Sequence, residues 1–407
     1  MAVRDVGIPL DMITRITFSI TPLRIMLALG LLLGAAALGY ALTAYLAVRR
    51  ARNINAPPPR DAARPVTVLK PLCGAEPGLT EALRSLCEQP YAHLQIVFGV
   101  QDPADPALAV VHDLQQRYPA LDIAVVIDPT RHGFSAKVSN LINMMRAARH
   151  DWLVLADSDV LVPPDYLARV CAPLADPAVG IVTCPYRGRP AHPRGRAALF
   201  SRLGALFVND WFMPSVRVAA LFGSREFAFG ATIALRRAAL EAIGGFPAIV
   251  DQLADDYRIG ELTRRLGLRT VLSEVVVETA IDERSLRQLA QHVTRWLRTI
   301  RAVRPAGYAA AGVTFSLPVA LLGWALAGGA PAASALLFVT AAARVMLHFA
   351  AGDPRPTDGR AWRGLWLLPA SDLLGFALWC WGFATREVQW RQMRYRVARD
   401  GSAHPIT

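Results

Sequence analysis

Hydrophobic and polar positions along this chain fall into three regimes. Residues 25–48 form an unbroken run of 24 positions without a charge. As a helix that run is roughly 36 Å long, enough to cross a bilayer. It lacks a small-residue cleavage site, so an uncleaved anchor is predicted rather than a signal peptide. From about residue 65 to 304, short apolar runs alternate with amphipathic stretches. Beyond Arg304 no charge appears until Arg344, and the 39 intervening residues are interrupted by Gly328-Gly329-Ala330-Pro331. That pattern predicts a helical hairpin, two crossings joined by a tight turn. Residues 364–385 are again apolar but broken by Pro369 and Asp372.

In the middle regime, strands are predicted at 66–69, 95–100, 123–127 and 152–156. Helices are predicted between them at 78–88, 108–118 and 136–148. Further on come strands at 178–184 and 229–235, then a helix at 237–243 ended by Gly244-Gly245. A helix at 253–267, a β-rich stretch at 270–279 and a basic helix at 285–300 complete the set. Strands alternating with helices at this spacing predict an α/β domain with a doubly wound, mostly parallel sheet. Residues 194–223 carry Phe200, Phe207, Trp211 and Phe212 among scattered arginines, with no uncharged run of bilayer length. Two readings fit them: an amphipathic segment lying in the membrane interface, or a helix pair in the domain core. The expected organisation is a tail and anchor (1–52), a Pro-rich linker (53–64), the α/β domain (65–304), C-terminal transmembrane segments (305–385) and a basic tail (386–407).

Composition narrows the class. The chain has 407 residues, 53% of them hydrophobic, and a net charge of +12. Its mean hydropathy is +0.30 and its pI about 10.1. These values suit a membrane protein with basic cytoplasmic flanks. They do not suit a nucleic-acid binder, since no helix-turn-helix, RNA-binding or zinc-finger signature accompanies the charge. Five cysteines without CxxC spacing speak against a disulfide framework or a zinc site. The Arg49-Arg50-Ala51-Arg52 cluster after the first apolar run places the following domain in the cytoplasm. Three C-terminal crossings would then put the Arg-rich tail outside, against the same rule. Either 364–385 is re-entrant or broken, or the rule fails here.

Candidate chemistry gathers at predicted strand ends. The run Trp152-Leu153-Val154-Leu155-Ala156 stops on Asp157-Ser158-Asp159, and an open α/β sheet binds its ligand at such an edge. Two aspartates spaced i, i+2 can converge where a strand turns into a loop and hold a divalent cation. The competing reading is an ordinary polar loop. Lys70 and Asp102 end two other strands. Lys137 opens a helix, an unfavourable place for a cation unless an anionic ligand sits there. Asp256 could simply be a helix N-terminal carboxylate, and Arg295-Trp296 a snorkelling interfacial pair. Asp372 is costly if lipid-facing, so it is expected to face protein or water.

The residues that carry a family resemblance are VTVLKPLCGAEPGL (66–79), VFGVQDPADPA (97–107), AKVSNLINM (136–144), LADSDV (155–160), FGATIALRR (229–237), GGF (244–246), LADDYRIG (253–260), HVTRW (292–296), RTIRAVRPAGY (298–308) and WRQMRYRV (390–397). In this order they resemble the ceramide-glucosyltransferase-like branch of the inverting glycosyltransferases, and within it the bacterial hopanoid-biosynthesis glycosyltransferases. The resemblance implies a GT-A fold and transfer of a sugar, N-acetylglucosamine first, from a UDP-sugar to a hopanoid polyol. It also implies Mg²⁺ or Mn²⁺ as cofactor and a multi-pass place in the bacterial inner membrane. By position, Asp102 would contact the uracil, Lys137 would lie near the nucleotide or diphosphate, and Asp157 and Asp159 would hold the metal. Asp256 would be the general base, with Arg295 and Trp296 from the Q/R-x-x-R-W motif. His292 stands where that motif has Gln or Arg, and is expected on the donor side. Trp211 and Phe212 are expected at the lipid entrance. Two other classes compete: a polysaccharide synthase, which usually needs more crossings, and a decayed non-catalytic scaffold, which an intact acidic set argues against.

Overall fold

The computed structural model describes residues 22–52, 64–352, 360–384, 387–390, 393–397 and 403–406. The expected N-terminal tail (1–21) and nearly all of the linker (53–63) lie outside the described residues.

The strands of the α/β domain are β1 (Val66–Pro71), β2 (Leu94–Val100), β3 (Asp122–Ile127), β4 (Trp152–Leu155), β5 (Val160–Leu161), β6 (Val179–Thr183), β7 (Tyr186–Pro190), β8 (Ile233–Arg236), β9 (Arg269–Leu272) and β10 (Val277–Ile281). Seven of them form one sheet in the order β3-β2-β1-β4-β8-β6-β9. All its pairings are parallel except those of β8, which runs antiparallel to both β4 and β6. A small sheet, β5-β10-β7, flanks the end of β4. Every residue of β2 is buried, as expected for a central strand covered on both faces. Helices α2 (Leu79–Cys87), α3 (Ala107–Arg117) and α4 (Ala136–Met144) make the crossovers. On α2 the buried set Leu79, Ala82, Leu83, Leu86 follows helical spacing, so one face meets the sheet. Helices α5 (Tyr166–Cys171), α6 (Arg196–Leu206), α7 (Met213–Leu221), α8 (Arg237–Ala242), α9 (Asp255–Arg265) and α10 (Leu286–Val303) complete the domain.

Two expected elements are shorter than the pattern suggested. The strand expected at 229–235 begins only at Ile233, because the Phe229 N–H donates to Thr183 Oγ1 and the Gly230 N–H to Asp256 Oδ2. Those donors are lost to the ladder. The helix expected at 136–148 stops at Met144. The carbonyls of Ala147 and Ala148 accept from the Gln95 and Arg237 side chains instead.

The apolar part is built from α1 (Pro22–Arg52), α11 (Pro305–Ala310), α12 (Ser316–Leu326), α13 (Pro331–Ala351), α14 (Arg360–Leu365) and α15 (Leu368–Trp381). Two of these, over Pro22–Ala51 and Pro331–Ala351, are long and apolar enough to cross a membrane. A third span arises if the pair bent by 73° before Ser316 counts as one. The expected hairpin is therefore present with a broken first leg and a turn at Gly328-Gly329, both at positive φ. Backbones of α1 and α12 approach at Gly30 and Gly323: a Cβ on Gly30 would lie 2.4 Å from the Gly323 carbonyl oxygen. Small residues serve this contact because lipid offers no hydrophobic drive between helices. At the other end, the last carbonyls of α13 (Ala351 and Gly352) accept from Arg187 of β7 at 2.9 and 3.0 Å. The chain thus returns to the α/β domain before α15. That helix has only 14 residues and packs beside α10. Arg298 of α10 donates to the Glu387 carbonyl at 2.5 Å. Glu387 opens a terminal three-stranded sheet of β11 (Glu387–Trp390), β12 (Met393–Val397) and β13 (Ala403–Ile406). Residues 364–384 are therefore broken at Trp366-Leu367, and the described strands β11–β13 begin beside α10.

The segment 194–223 resolves into α6, a π-helical turn at Phe207–Phe212 and α7, joined without a break. It lies between the α/β domain and the apolar helices, with Tyr40 of α1 hydrogen-bonded to Ser215 at 2.9 Å. Its π-helical turn is buried at the junction of the two parts, whereas Leu221 and Phe222 at its end are exposed.

Candidate active site

The C-terminal ends of β1 and β4, the loop before β8 and the start of α9 converge on one acidic cluster. Asp157 follows β4, and its Oδ1 lies 2.6 Å from Lys137 Nζ at the start of α4. Lys137 also lies 3.6 Å from Asp255. Burial works against its charge, but Asp157 and Asp255 outweigh it and hold the ammonium well above the usual lysine range. This accounts for a cation at a helix N-terminus: the carboxylates overcome the dipole.

Asp256, in the first turn of α9, accepts the Gly230 N–H at 2.9 Å on Oδ2 and the Tyr257 N–H at 2.7 Å on Oδ1. Its carboxyl is nevertheless pushed up to about 6, by burial first and by Asp255 second, against the pull of Lys137. A carboxylate with such a value is a competent base near neutrality. Gly230 forms the floor between the two acids. A Cβ there would sit 3.2 Å from Asp157 Oδ2, 3.3 Å from Lys137 Nζ and 3.5 Å from Asp256 Oδ2.

Asp159 is hydrogen-bonded by Thr279 of β10. Burial, then Asp157, raises its carboxyl above the ordinary range. Beneath it Lys70 is fully buried at the end of β1 and donates to the Val160 carbonyl at 3.1 Å. Desolvation brings this amine down to about 8, against Asp159, Asp157 and Glu76. Glu76, in the loop after β1, accepts from Ser158 at 2.6 Å and is itself raised, mainly by burial. Arg295 of α10 stands within electrostatic range of Asp157, Glu283 and Asp255; burial lowers its guanidinium.

Five carboxylates (Glu76, Asp157, Asp159, Asp255 and Asp256) therefore face three cations (Lys70, Lys137 and Arg295). The donors are all oxygens, which suits a hard divalent cation, and the surplus negative charge is what such an ion balances. On donor chemistry Asp157 and Asp159 fit the metal role. No cluster of three ligating side chains is preassembled among the described residues, and an ion at Asp157 shares that carboxylate with Lys137.

The remaining expected residues are placed as follows. Asp102 follows β2 at the exposed rim, its Oδ1 accepting from the Ala104 N–H at 2.8 Å. The neighbouring Asp105 accepts from the Gly74 N–H at 3.0 Å and so ties the loop after β1 to the loop after β2. His292 is hydrogen-bonded through Nδ1 to Glu283, and its ring meets Trp296 edge-on at 4.8 Å. Trp296 joins an aromatic wall with Tyr186, Phe207 and Phe212. Phe212 lies in this wall beside Tyr186 and Phe229. Trp211 packs behind the wall, stacked between its member Phe207 and Phe315, with Nε1 bonded to Thr314 at 2.8 Å. It is a buried brace of the junction rather than a lining residue. Sequence reasoning missed Glu76, Gly230 and Tyr186. Glu76 and Gly230 do lie inside the motif stretches 66–79 and 229–237.

A mostly parallel sheet with one reversed strand, and an Asp-x-Asp at the end of its β4, defines the GT-A glycosyltransferase fold. The solved mannosyltransferase PcManGT from Pyrobaculum calidifontis, in complex with GDP-Man and Mn²⁺, superposes with a TM-score of 0.51 and 25% identity over 86% of this chain and 99% of that one. The chain belongs to glycosyl transferase family 21, whose profile matches residues 29–403. Ceramide glucosyltransferase 1 of Caenorhabditis elegans is 20% identical over 242 residues, 59% of this chain and 50% of the relative. A ceramide glucosyltransferase of Candida albicans is 33% identical over 107 residues, 23% of this chain and 20% of the relative. The chain spans about half the length of the Caenorhabditis relatives it matches.

Proposed function

We propose that the chain is a membrane-bound, inverting glycosyltransferase that moves a sugar from a UDP-sugar to a lipid alcohol. The observation that carries this reading is the meeting of two unlike surfaces. The acidic cluster around Gly230 adjoins the aromatic wall of Phe212 and Trp296, and that wall continues into the helices packed on α1 and α13. In this reading Asp256 takes the proton of the acceptor hydroxyl as its oxygen attacks the anomeric carbon. The bond from that carbon to the diphosphate oxygen breaks, and the nucleotide diphosphate leaves with the electron pair. One base acting in line inverts configuration. Lys137 and Arg295 bind the departing diphosphate, and Asp102 the uracil. Asp157 and Asp159 would hold a divalent ion, Mg²⁺ or Mn²⁺, which would supply further charge for the diphosphate.

The product tested first is an N-acetylglucosaminyl hopanoid made at the bacterial inner membrane, following the motif resemblance. The second reading, glucosyl transfer to ceramide, is favoured by the ceramide glucosyltransferases among the relatives. Membranes containing the protein are incubated with labelled UDP-N-acetylglucosamine, UDP-glucose or GDP-mannose, with a hopanoid polyol or ceramide as acceptor, with and without EDTA. A metal-dependent glycolipid from one UDP-sugar supports the proposal and identifies the acceptor. Polymer, or transfer from GDP-mannose alone, sinks it.

A further inference from the structure

We infer that Tyr186 is an acceptor-positioning residue, presenting the lipid alcohol to Asp256; this rests on the lipid-transfer reading above. Tyr186 opens β7, and its ring completes the aromatic wall, 4.9 Å from Phe212 and 6.1 Å from both Phe229 and Trp296. Each of the last two neighbours adjoins a site residue in sequence. Phe229 precedes Gly230, whose N–H holds Asp256, and Trp296 follows Arg295. Strand register adds a third constraint. Tyr186 pairs with Val277 and Gly188 with Thr279, so Tyr186 leaves the small sheet by the same face as Thr279, which holds Asp159. The phenol thus sits where the wall ends and the acids begin, within electrostatic range of Asp256, Asp157, Asp159 and Arg295. A side chain with an apolar body and one polar tip suits that boundary. The ring packs against the last apolar atoms of the acceptor, and the hydroxyl hydrogen-bonds its polar head, leaving the reacting alcohol directed at Asp256.

Tyr186→Phe keeps the ring and removes only the hydroxyl. It is compared with wild type in three assays: transfer to the lipid acceptor, slow hydrolysis of the UDP-sugar without acceptor, and thermal melting. Expected are a fall of about tenfold in kcat/KM for the lipid, the scale of one lost hydrogen bond, with donor hydrolysis, donor KM and melting temperature unchanged. Equal losses of transfer and hydrolysis would move Tyr186 to the donor side and overturn the inference. So would a variant that transfers like wild type. If wild type itself transfers to no lipid, the functional reading fails first, an outcome distinct from a failure of Tyr186 alone.

Discussion

Two charged clusters of this molecule differ in how acids and cations balance and in how far solvent reaches them. One is the active-site group around Asp157 and Asp256. The other lies at the junction with the apolar helices, where Asp210 of the π-helical turn, Arg344 and His348 of α13, and Asp372 of α15 meet. Arg344 donates twice to Asp372, at 2.8 and 2.7 Å, and once to Asp210 at 3.2 Å. His348 Nδ1 reaches Asp210 at 2.8 Å. All four are nearly inaccessible. Here acids and bases face each other closely and nothing is left for a ligand. In the active site Asp157 and Lys137 are about a third exposed, and the acids outnumber the cations. Dry charge is tolerated only when paired, whereas surplus charge persists where solvent or substrate can balance it. Balance marks the brace, and imbalance marks the site.

The sharpest way to break this comparison is Arg344→Met. It strands two buried carboxylates and should cost about 3–5 kcal/mol, seen as a large drop in melting temperature or failure to accumulate in membranes. Adding Asp210→Asn and Asp372→Asn should restore most of the loss. A single variant as stable as the triple one would mean the network is not a brace.

The opposite behaviour is expected of Asp256→Asn. Its melting temperature should stay near wild type or rise, because a raised carboxyl is a strained charge. Turnover should collapse by about 10²–10⁴-fold, with UDP binding little changed. Weak UDP binding with normal turnover at saturation would reassign the residue to the donor.

A pH profile sharpens the same point. The base works ionised, and its raised value of about 6 means it is protonated below that pH. kcat/KM should therefore fall as pH drops through about 6 and level off above it. An acid limb near the ordinary aspartate value would contradict the crowding of Asp255 and Asp256.

The smallest effect is expected from Gly230→Ala. Its Cβ would meet Asp157 and Lys137 at 3.2–3.3 Å, so the side chains shift by a few tenths of an ångström. A loss of about tenfold or less in kcat is expected, since a full 1 Å misplacement costs about 10²-fold. Stability should not change.

Local pattern alone determined the strand-helix alternation, the Asp-x-Asp at the end of β4, the acids opening α9 and the first anchor. Each rests on periodicity or on neighbours in the chain, which the sequence displays directly. It also marked Asp372 as a charge needing company. Which company, only the tertiary structure decided: Arg344 is 28 residues away and Asp210 lies 134 residues before that arginine. Gly230 reads as one glycine among many until Asp157, Lys137 and Asp256 surround it. Tyr186 reads as a strand residue until Phe212, Phe229 and Trp296 close on it. Likewise the packing of the 14-residue α15 and of β11 against α10 followed only from the fold. Hydropathy could not give it, because an apolar run looks the same whether it is wrapped by lipid or by protein. Contacts between distant segments depend on how elements pack, and packing leaves no period in the sequence.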